Sequence, residues 1–306
     1  MNKPPPSAPP RPVAALLRHF RAQRPLRGGS LIVTIFGDAI APRGGAVTLG
    51  SLIRLTQPFG LTERLVRTSV ARLAREDWLV ARRDGRRAEY RLSAAGAARF
   101  KQATARIYAA APHSWSGQWT LLLLPDAAAP RRLREELRWL GFGQLRPGLF
   151  AHPASTPEQA RAALRSVAPQ QAALLLASTA AEGAMNRELL AQGWDLRELG
   201  RGYQRFVKRF APVGRTLAGA ALTPEAAFLV RTLLIHEYRK VHLQDPLLPP
   251  VLLPPGWIGS RAYELCRSLY GRVFSRAETH LDTVAHRLNE ALPAASAAAQ
   301  GRFGRS

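Results

Sequence analysis

Four arginines stand at 64, 67, 72 and 75 in the stretch GLTERLVRTSVARLAREDW, residues 60–78. A guanidinium carries several N–H donors in a flat fork. It pairs bidentately with guanine O6 and N7 in the major groove, or clamps a phosphate. Spacing decides whether four such groups act together. At 100° per residue, with Arg64 as zero, Arg67, Thr68, Ala71, Arg72 and Arg75 fall between about −60° and +80°. Leu65, Val66, Ser69, Val70 and Leu73 fall between about 100° and 240°. One side of this helix can pack while the other presents a row of cations. Its diameter of roughly 10–12 Å suits a major groove roughly 12 Å wide.

The same chemistry recurs just downstream. In WLVARRDGRRAEYRL, Asp84-Gly85 signals a two-residue hairpin turn between two extended runs. The tip then carries Arg82, Arg83, Arg86 and Arg87, placed to reach a phosphate backbone or minor groove beside the helix. Taken singly, each feature has an ordinary reading. A basic helix face is commonly solvated surface, and basic residues on a hairpin edge guard against aggregation. Together, and in this order, they point to duplex DNA. The candidate contacts are Thr62, Arg64, Arg67, Thr68, Arg72 and Arg75 on the helix, with Arg82, Arg83, Arg86 and Arg87 on the hairpin.

The elements that must position these side chains are legible nearby. Ser30 is a cap for a helix through LIVTIFGDAIA, and Thr48 caps a second helix with Leu49, Leu52, Ile53 and Leu55 on its apolar face. Pro58 and Gly60 close that element, Thr62 caps the arginine-faced helix, and Ser93 caps a closing helix through Phe100. Helix, helix, arginine-faced helix, hairpin, helix is the winged helix-turn-helix order. A two-fold protein on a two-fold site is the usual arrangement for such readers, so a homodimer on an inverted repeat is expected.

Composition supports the assignment. The chain of 306 residues has a formal charge of +23, with only four lysines. Residues 1–112 hold 20 basic and 6 acidic side chains, residues 113–190 hold 8 and 6, and residues 191–306 hold 16 and 9. The strongest positive field belongs to the first third, which suits an anionic partner. Cys266 is the only cysteine, which excludes an intramolecular disulfide and fits a reducing cytoplasm. No apolar run approaches the roughly 18 residues of a membrane span, so no membrane partner is expected.

The chain divides into five expected parts, together an α+β multidomain fold. Residues 1–27 read as a Pro-rich disordered arm, because six early prolines argue against an amphipathic helix. Residues 28–112 form the winged helix-turn-helix domain. Residues 113–185 give a β-α-β-β-α-β order: GQWTLLLLP, then a helix with Leu133, Leu137 and Leu140 inward, GQLRPGLFAHP, STPEQARAALRSV and AALLLAST. That order suggests a ferredoxin-like domain. Residues 186–292 are helical and end in one long helix through NEAL. Residues 293–306 are an Ala/Gly/Ser-rich mobile tail.

The stretch SLIVTIFGDAIAPRGGAVTLGSLIRLTQPFGLTERLVRTSVARLAREDWL resembles the start of the PaaX family, transcriptional repressors of phenylacetate degradation. The resemblance continues through RRAEYRLSAAG, GFGQLRPGLFAHP, LIHEYRKVHLQDPLLPPVLLPPGW and AYELCRSLYG, roughly residues 28–290. It implies an N-terminal winged helix, a central ferredoxin-like domain, a helical C-terminal domain and no catalysis. It also implies operator binding relieved by phenylacetyl-CoA or a related acyl-CoA, with no cofactor.

Other residue groups carry competing chemistry. HEYRKVH spaces His236 and His242 six apart, about 120° from a common helix face, so the pair does not make a zincin-type metal site. His236, Glu237, Arg239 and Asp245 could shape an effector cleft or form a structural polar network. Arg201 and Arg205, with Lys208 and Arg209, could meet CoA phosphates while Tyr203 or Phe206 lines an aryl pocket. They could equally be a solvated basic face over an aromatic core stripe. Asp126, at the end of the first central strand, is where metal-dependent nucleases of similar fold hold an aspartate. One carboxylate is a poor Mg²⁺ site, and a turn role is the commoner one. Cys266 sits on a helix as a small core side chain.

Overall fold

The computed structural model describes residues 9–85, 87–109, 114–124, 130–167, 174–179, 183–217, 219 and 222–304. Two compact units emerge, each assembled from separated stretches of chain. The first comprises Met1–Ala109, Phe206–Arg239 and Ala262–Ser306, and the second Ala110–Arg205 and Lys240–Arg261.

The first unit begins with a helix where a disordered arm was expected. In α1 (Arg11–Arg21), Val13, Leu16, Leu17 and Phe20 recur at helical spacing and are all buried. Pro12 lies in the first turn, where the missing N–H has no intrahelical partner to lose. The prolines therefore crowd ahead of this helix and do not break it. The expected arm at residues 1–8 lies outside the described residues.

Helix α2 (Gly28–Ile35) starts two residues before Ser30 and has no side-chain cap. Ser30 instead lies inside the helix, where its Oγ and carbonyl accept from Arg239 Nη2 at 2.7 and 2.9 Å. The helix widens into a π turn over Phe36–Ile40 and tightens into a 3₁₀ turn over Ala41–Arg43. Strand β1 (Ala46–Thr48) follows. Thr48 then caps α3 (Leu49–Thr56) by accepting from Ser51 N at 3.3 Å. Thr62 caps α4 (Glu63–Arg75) by accepting from Leu65 N at 3.2 Å, and Ser93 caps α5 (Ala94–Ile107) at Gly96 N, 2.8 Å away. Between α4 and α5, β2 (Leu79–Asp84) and β3 (Arg87–Leu92) form an antiparallel hairpin. Strand β1 adds to its other side, giving the order β1-β3-β2. Asp84 pairs with Arg87, so it is the last residue of its strand, and Gly85 supplies the positive φ of 55°.

The second unit contains a four-stranded antiparallel sheet of order β5-β6-β4-β7, made of β4 (Gln118–Leu123), β5 (Gly143–Arg146), β6 (Leu149–His152) and β7 (Leu174–Thr179). With α6 (Arg131–Trp139) and α7 (Pro157–Val167) it completes β-α-β-β-α-β, a ferredoxin-like domain. Leu122, Phe150, Leu133, Leu137 and Leu164 form one of its cores. Leu140, expected to point inward, is 39% exposed. The helix has ended at Trp139, and Gly141 turns the chain with a φ of 95°. Trp119 and Ala151 pack in a second core with Leu190 of α8 (Gly183–Gly193).

Three long helices, α9 (Leu196–Leu217), α10 (Pro224–His242) and α11 (Ile258–Val284), are each shared between the two units. Helix α11 stops at Val284, short of the expected end. A miniature hairpin, β8 (His286–Arg287) and β9 (Glu290–Ala291), follows, with Asn289 at a φ of 64°.

Residues beyond Pro293 are not a free tail in the described structure. Ser296 N donates to Pro42 O at 3.0 Å, and Arg302 and Phe303 are buried. They reach a charged node inside the first unit. Asp38, in the π turn, accepts from Arg231 Nε at 2.6 Å, Tyr108 Oη at 2.6 Å, Tyr270 Oη at 2.8 Å and Arg302 Nη1 at 2.9 Å. Arg231 also pairs with Glu278, which Arg43 Nη1 meets at 3.1 Å. Burial alone would push the Asp38 carboxyl up. Arg231 and Arg302, with the two tyrosine hydroxyls, overcome this and hold it below the ordinary carboxylate range. Burial pushes Tyr270 up to about 12, against the pull of Arg231, so it stays a donor.

Candidate nucleic-acid interface

Helix α4 is held by its apolar side. Val66, Ser69, Val70 and Leu73 are buried, while Thr62, Arg64, Arg67, Thr68, Arg72 and Arg75 are all exposed. The division matches the helical angles, because a period of 3.6 puts residues three and four apart on one face. Arg67 donates from Nε and Nη2 to Glu63 Oε1 at 2.8 and 2.6 Å. Arg72 Nε lies 3.8 Å from Glu76 Oε1. Both pairs are more than half exposed, so each is worth at most about 1 kcal/mol and yields readily to a phosphate or base edge. The Thr68 hydroxyl donates back to Arg64 O at 3.0 Å, so its methyl is the part offered outward.

The hairpin presents Arg82, Arg83 and Arg87 in exposed positions. Arg86 lies outside the described residues, as does Asp126. The base of the hairpin is anchored inside the same unit. Glu89, opposite Arg82 on β3, is buried, and its Oε2 accepts from Leu288 N at 2.8 Å. Helix α3 is tied down similarly: Arg54 Nη2 donates to Val284 O at 2.9 Å, and Ser51 Oγ accepts from His286 N at 3.0 Å.

Next to the arginine face, between the start of α2 and the side of α4, lies a cleft of about 560 Å³. Arg27, Gly29, Ser30, Thr68, Arg72 and Arg75 contribute to its walls. Arg27 is a contact candidate that helical spacing could not reveal, since it belongs to a different element.

The residues considered for an effector fall into separate arrangements. Arg201 and Arg205 are exposed and pair with Glu198 at 2.7 and 3.0 Å. Arg205 and Arg201 hold the Glu198 carboxyl below its usual range. Tyr203 is buried in the second unit, where its hydroxyl donates to Asp245 Oδ2 at 2.6 Å and lies 2.9 Å from His242 Nδ1. Asp245 also accepts from Leu247 N at 2.8 Å. His236 and Arg239 belong to the first unit. His236 Nδ1 lies 3.0 Å from Thr34 Oγ1, and Arg239 Nε donates to that same oxygen at 2.9 Å. Glu237 pairs with Arg209 at 2.6 Å.

Among the described residues no group of three or more His, Cys, Asp or Glu side chains is arranged to hold a metal. Cys266 is fully buried, and burial pushes its thiol well above the ordinary value. No helix among the described residues is long and apolar enough to cross a membrane.

The Asp38 node was not anticipated from sequence. The available signal was a lone acid in LIVTIFGDAIA and a lone base in FLVRTLLI. Opposite charges, each isolated in an apolar helix, need each other or some other partner.

Comparison with known proteins places these features in a family. Residues 27–96 match the model of the PaaX-like protein, residues 112–190 the PaaX protein central Cas2-like domain, and residues 194–283 the PaaX-like protein C-terminal domain. Transcriptional repressor PaaX of Escherichia coli (strain K12) is 37% identical over 295 residues, covering 94% of this chain and 93% of that protein. An uncharacterized protein from Mycobacterium tuberculosis has a solved structure 26% identical in sequence. It covers 74% of this chain and 89% of that one, with a TM-score of 0.45. With three family models in succession and a relative similar along nearly its whole length, this chain belongs to the PaaX family.

Proposed function

We propose that this protein is a transcriptional repressor, a regulator and not an enzyme, that binds duplex DNA through a winged helix-turn-helix. In this reading α4 enters the major groove and the β2–β3 hairpin is the wing. The observation that carries it is the row of exposed arginines on α4, beside a hairpin with a basic tip. Near full-length similarity to a protein named as a transcriptional repressor supports it. The regulated genes belong to phenylacetate catabolism, the protein acts in the cytoplasm, and a homodimer occupies an inverted repeat.

The effector is phenylacetyl-CoA or a related acyl-CoA, which releases the operator. Support for the ligand is the family resemblance together with the basic surplus of residues 191–306. A ligand shifts the equilibrium only by its differential affinity, so it must prefer the conformation that does not bind DNA. Gel-shift titration on the DNA upstream of the protein's own gene tests both parts. A discrete complex is expected that phenylacetyl-CoA dissolves and free phenylacetate does not. The absence of a sequence-specific complex would overturn the repressor reading, and a complex indifferent to every acyl-CoA tried would overturn the effector.

A further inference from the structure

The cleft between α2 and α4 divides the arginines of α4 into two sets. Arg72 and Arg75 line it together with Arg27, whereas Arg64 and Arg67 stand outside. Among the described residues, no carboxylate lines the cleft. Glu76 approaches Arg72, but as an exposed neighbour along the helix. Three arginines line one recess, and like charges gathered there are relieved by an anion seated among them.

Gly29 shapes the recess. A Cβ at this position would come 2.3 Å from Arg72 Nη2, so glycine is what lets that guanidinium lie over the start of α2. Ser30 is held from behind, its Oγ accepting from Arg239 at 2.7 Å. A hydroxyl that accepts in this way keeps one proton of its own with which to donate.

We propose that this cleft seats one phosphate of the DNA backbone, clamped by Arg27, Arg72 and Arg75, with Ser30 as a hydroxyl donor. The clamp fixes the register of α4 in the groove and leaves Arg64 and Arg67 as the arginines of this helix that read base edges. This assignment rests on the duplex-binding reading and adds a division of labour to it.

Fluorescence anisotropy on the full chain tests it, using an operator duplex and an unrelated duplex of equal length across a range of salt. Each phosphate neutralised contributes about 0.9 to the slope of log K against log salt, so the one seated phosphate accounts for about that amount in all. Arg27→Ala and Arg75→Ala are each expected to flatten that slope by part of this amount, the double variant by up to about 0.9, and to lower affinity by the same factor on both duplexes. Gly29→Ala, which displaces only the flexible end of Arg72, is expected to give a smaller loss, again equal on both. Arg67→Ala is expected to erode the preference for operator. Unchanged slopes for Arg27→Ala and Arg75→Ala, with Arg67→Ala still losing preference, overturn the clamp and leave the repressor reading standing. Losses confined to the operator duplex overturn it too, because they make these arginines base readers. Failure of the unmodified protein to bind either duplex overturns both readings.

Discussion

Arg302 Nη1 donates to Asp38 Oδ1 at 2.9 Å, across 264 positions of the chain. The guanidinium also lies over the Tyr108 ring, 4.3 Å from its centroid. The carboxylate it meets is already shared by Arg231, Tyr108 and Tyr270. Removing Asp38 takes the shared carboxylate from two buried cations and leaves Arg231 with Glu278 alone, whereas removing Arg302 leaves Asp38 with three partners. Asp38→Ala is therefore expected to cost about 3–5 kcal/mol and Arg302→Ala about 2–3 kcal/mol, the difference arising from which charge is left uncompensated. Urea denaturation of both variants checks the order. Equal losses would mean that the node does not act as a unit.

The same node predicts a response to acid. The Asp38 carboxyl is held lower in the folded chain than in the unfolded one. Its stabilisation is fully present above the unfolded value of about 3.9 and is lost as pH falls through the lower folded value. His280, stacked on Phe228, acts earlier. Burial lowers its pKa, with Glu225 opposing, so the unfolded chain takes up the proton more readily. Stability is expected to fall as pH drops below about 6.5, where unfolded histidine protonates. Thermal melts from neutral to acid should show this early decline in the unmodified protein and a weaker one in His280→Gln. Identical profiles would remove His280 from the account.

Helix α1 is expected to behave as core. Phe20 is 1% exposed and packs edge-on against Phe59 and His236. Phe20→Ala is expected to cost about 3–5 kcal/mol. Deleting residues 1–27 should lower the melting temperature, whereas a detached arm would leave it unchanged.

Base reading and backbone contact should separate between helix and wing. Arg64→Ala or Arg67→Ala is expected to cost about 1–3 kcal/mol on the operator and to relax specificity at one base position. Arg82→Ala or Arg83→Ala on the wing should weaken binding to all sequences and flatten its salt dependence. Affinity and slope that do not change when the wing arginines are removed together would detach the hairpin from the interface.

On the proposed mechanism, effector and operator oppose each other equally. A hundredfold loss of operator affinity corresponds to a coupling of about 2.7 kcal/mol, and reciprocity requires operator DNA to weaken acyl-CoA binding by the same factor. Calorimetry with and without operator measures it. Equal acyl-CoA affinity in both experiments excludes that ligand as the inducer.

What the sequence disclosed was set by the range of the interactions involved. Thr48, Thr62 and Ser93 were legible as caps because a cap bonds an N–H two or three residues on. The arginine face of α4 was legible because helical period is local. Ser30 was misread for a tertiary reason: its hydrogen-bond partner is Arg239, far along the chain. The prolines before α1 outweighed an apolar spacing that only tertiary packing could reward. The long terminal helix was broken early because the residues after Val284 bond to α3 and β3, a competition that periodicity along one strand of sequence does not report.

The closure of the Asp38 node by Arg302 also bears on synthesis. A ribosome releases the arginine-faced helix long before it releases the residues that complete the Asp38 node. Until then Asp38, Arg43 and Glu89 have lost partners supplied by residues 278–302. Contacts of such long sequence separation form late and make folding slow. The first unit is thus completed only after residue 302 has been made, and a shorter nascent chain carries the arginine-faced helix before the Asp38 node is closed.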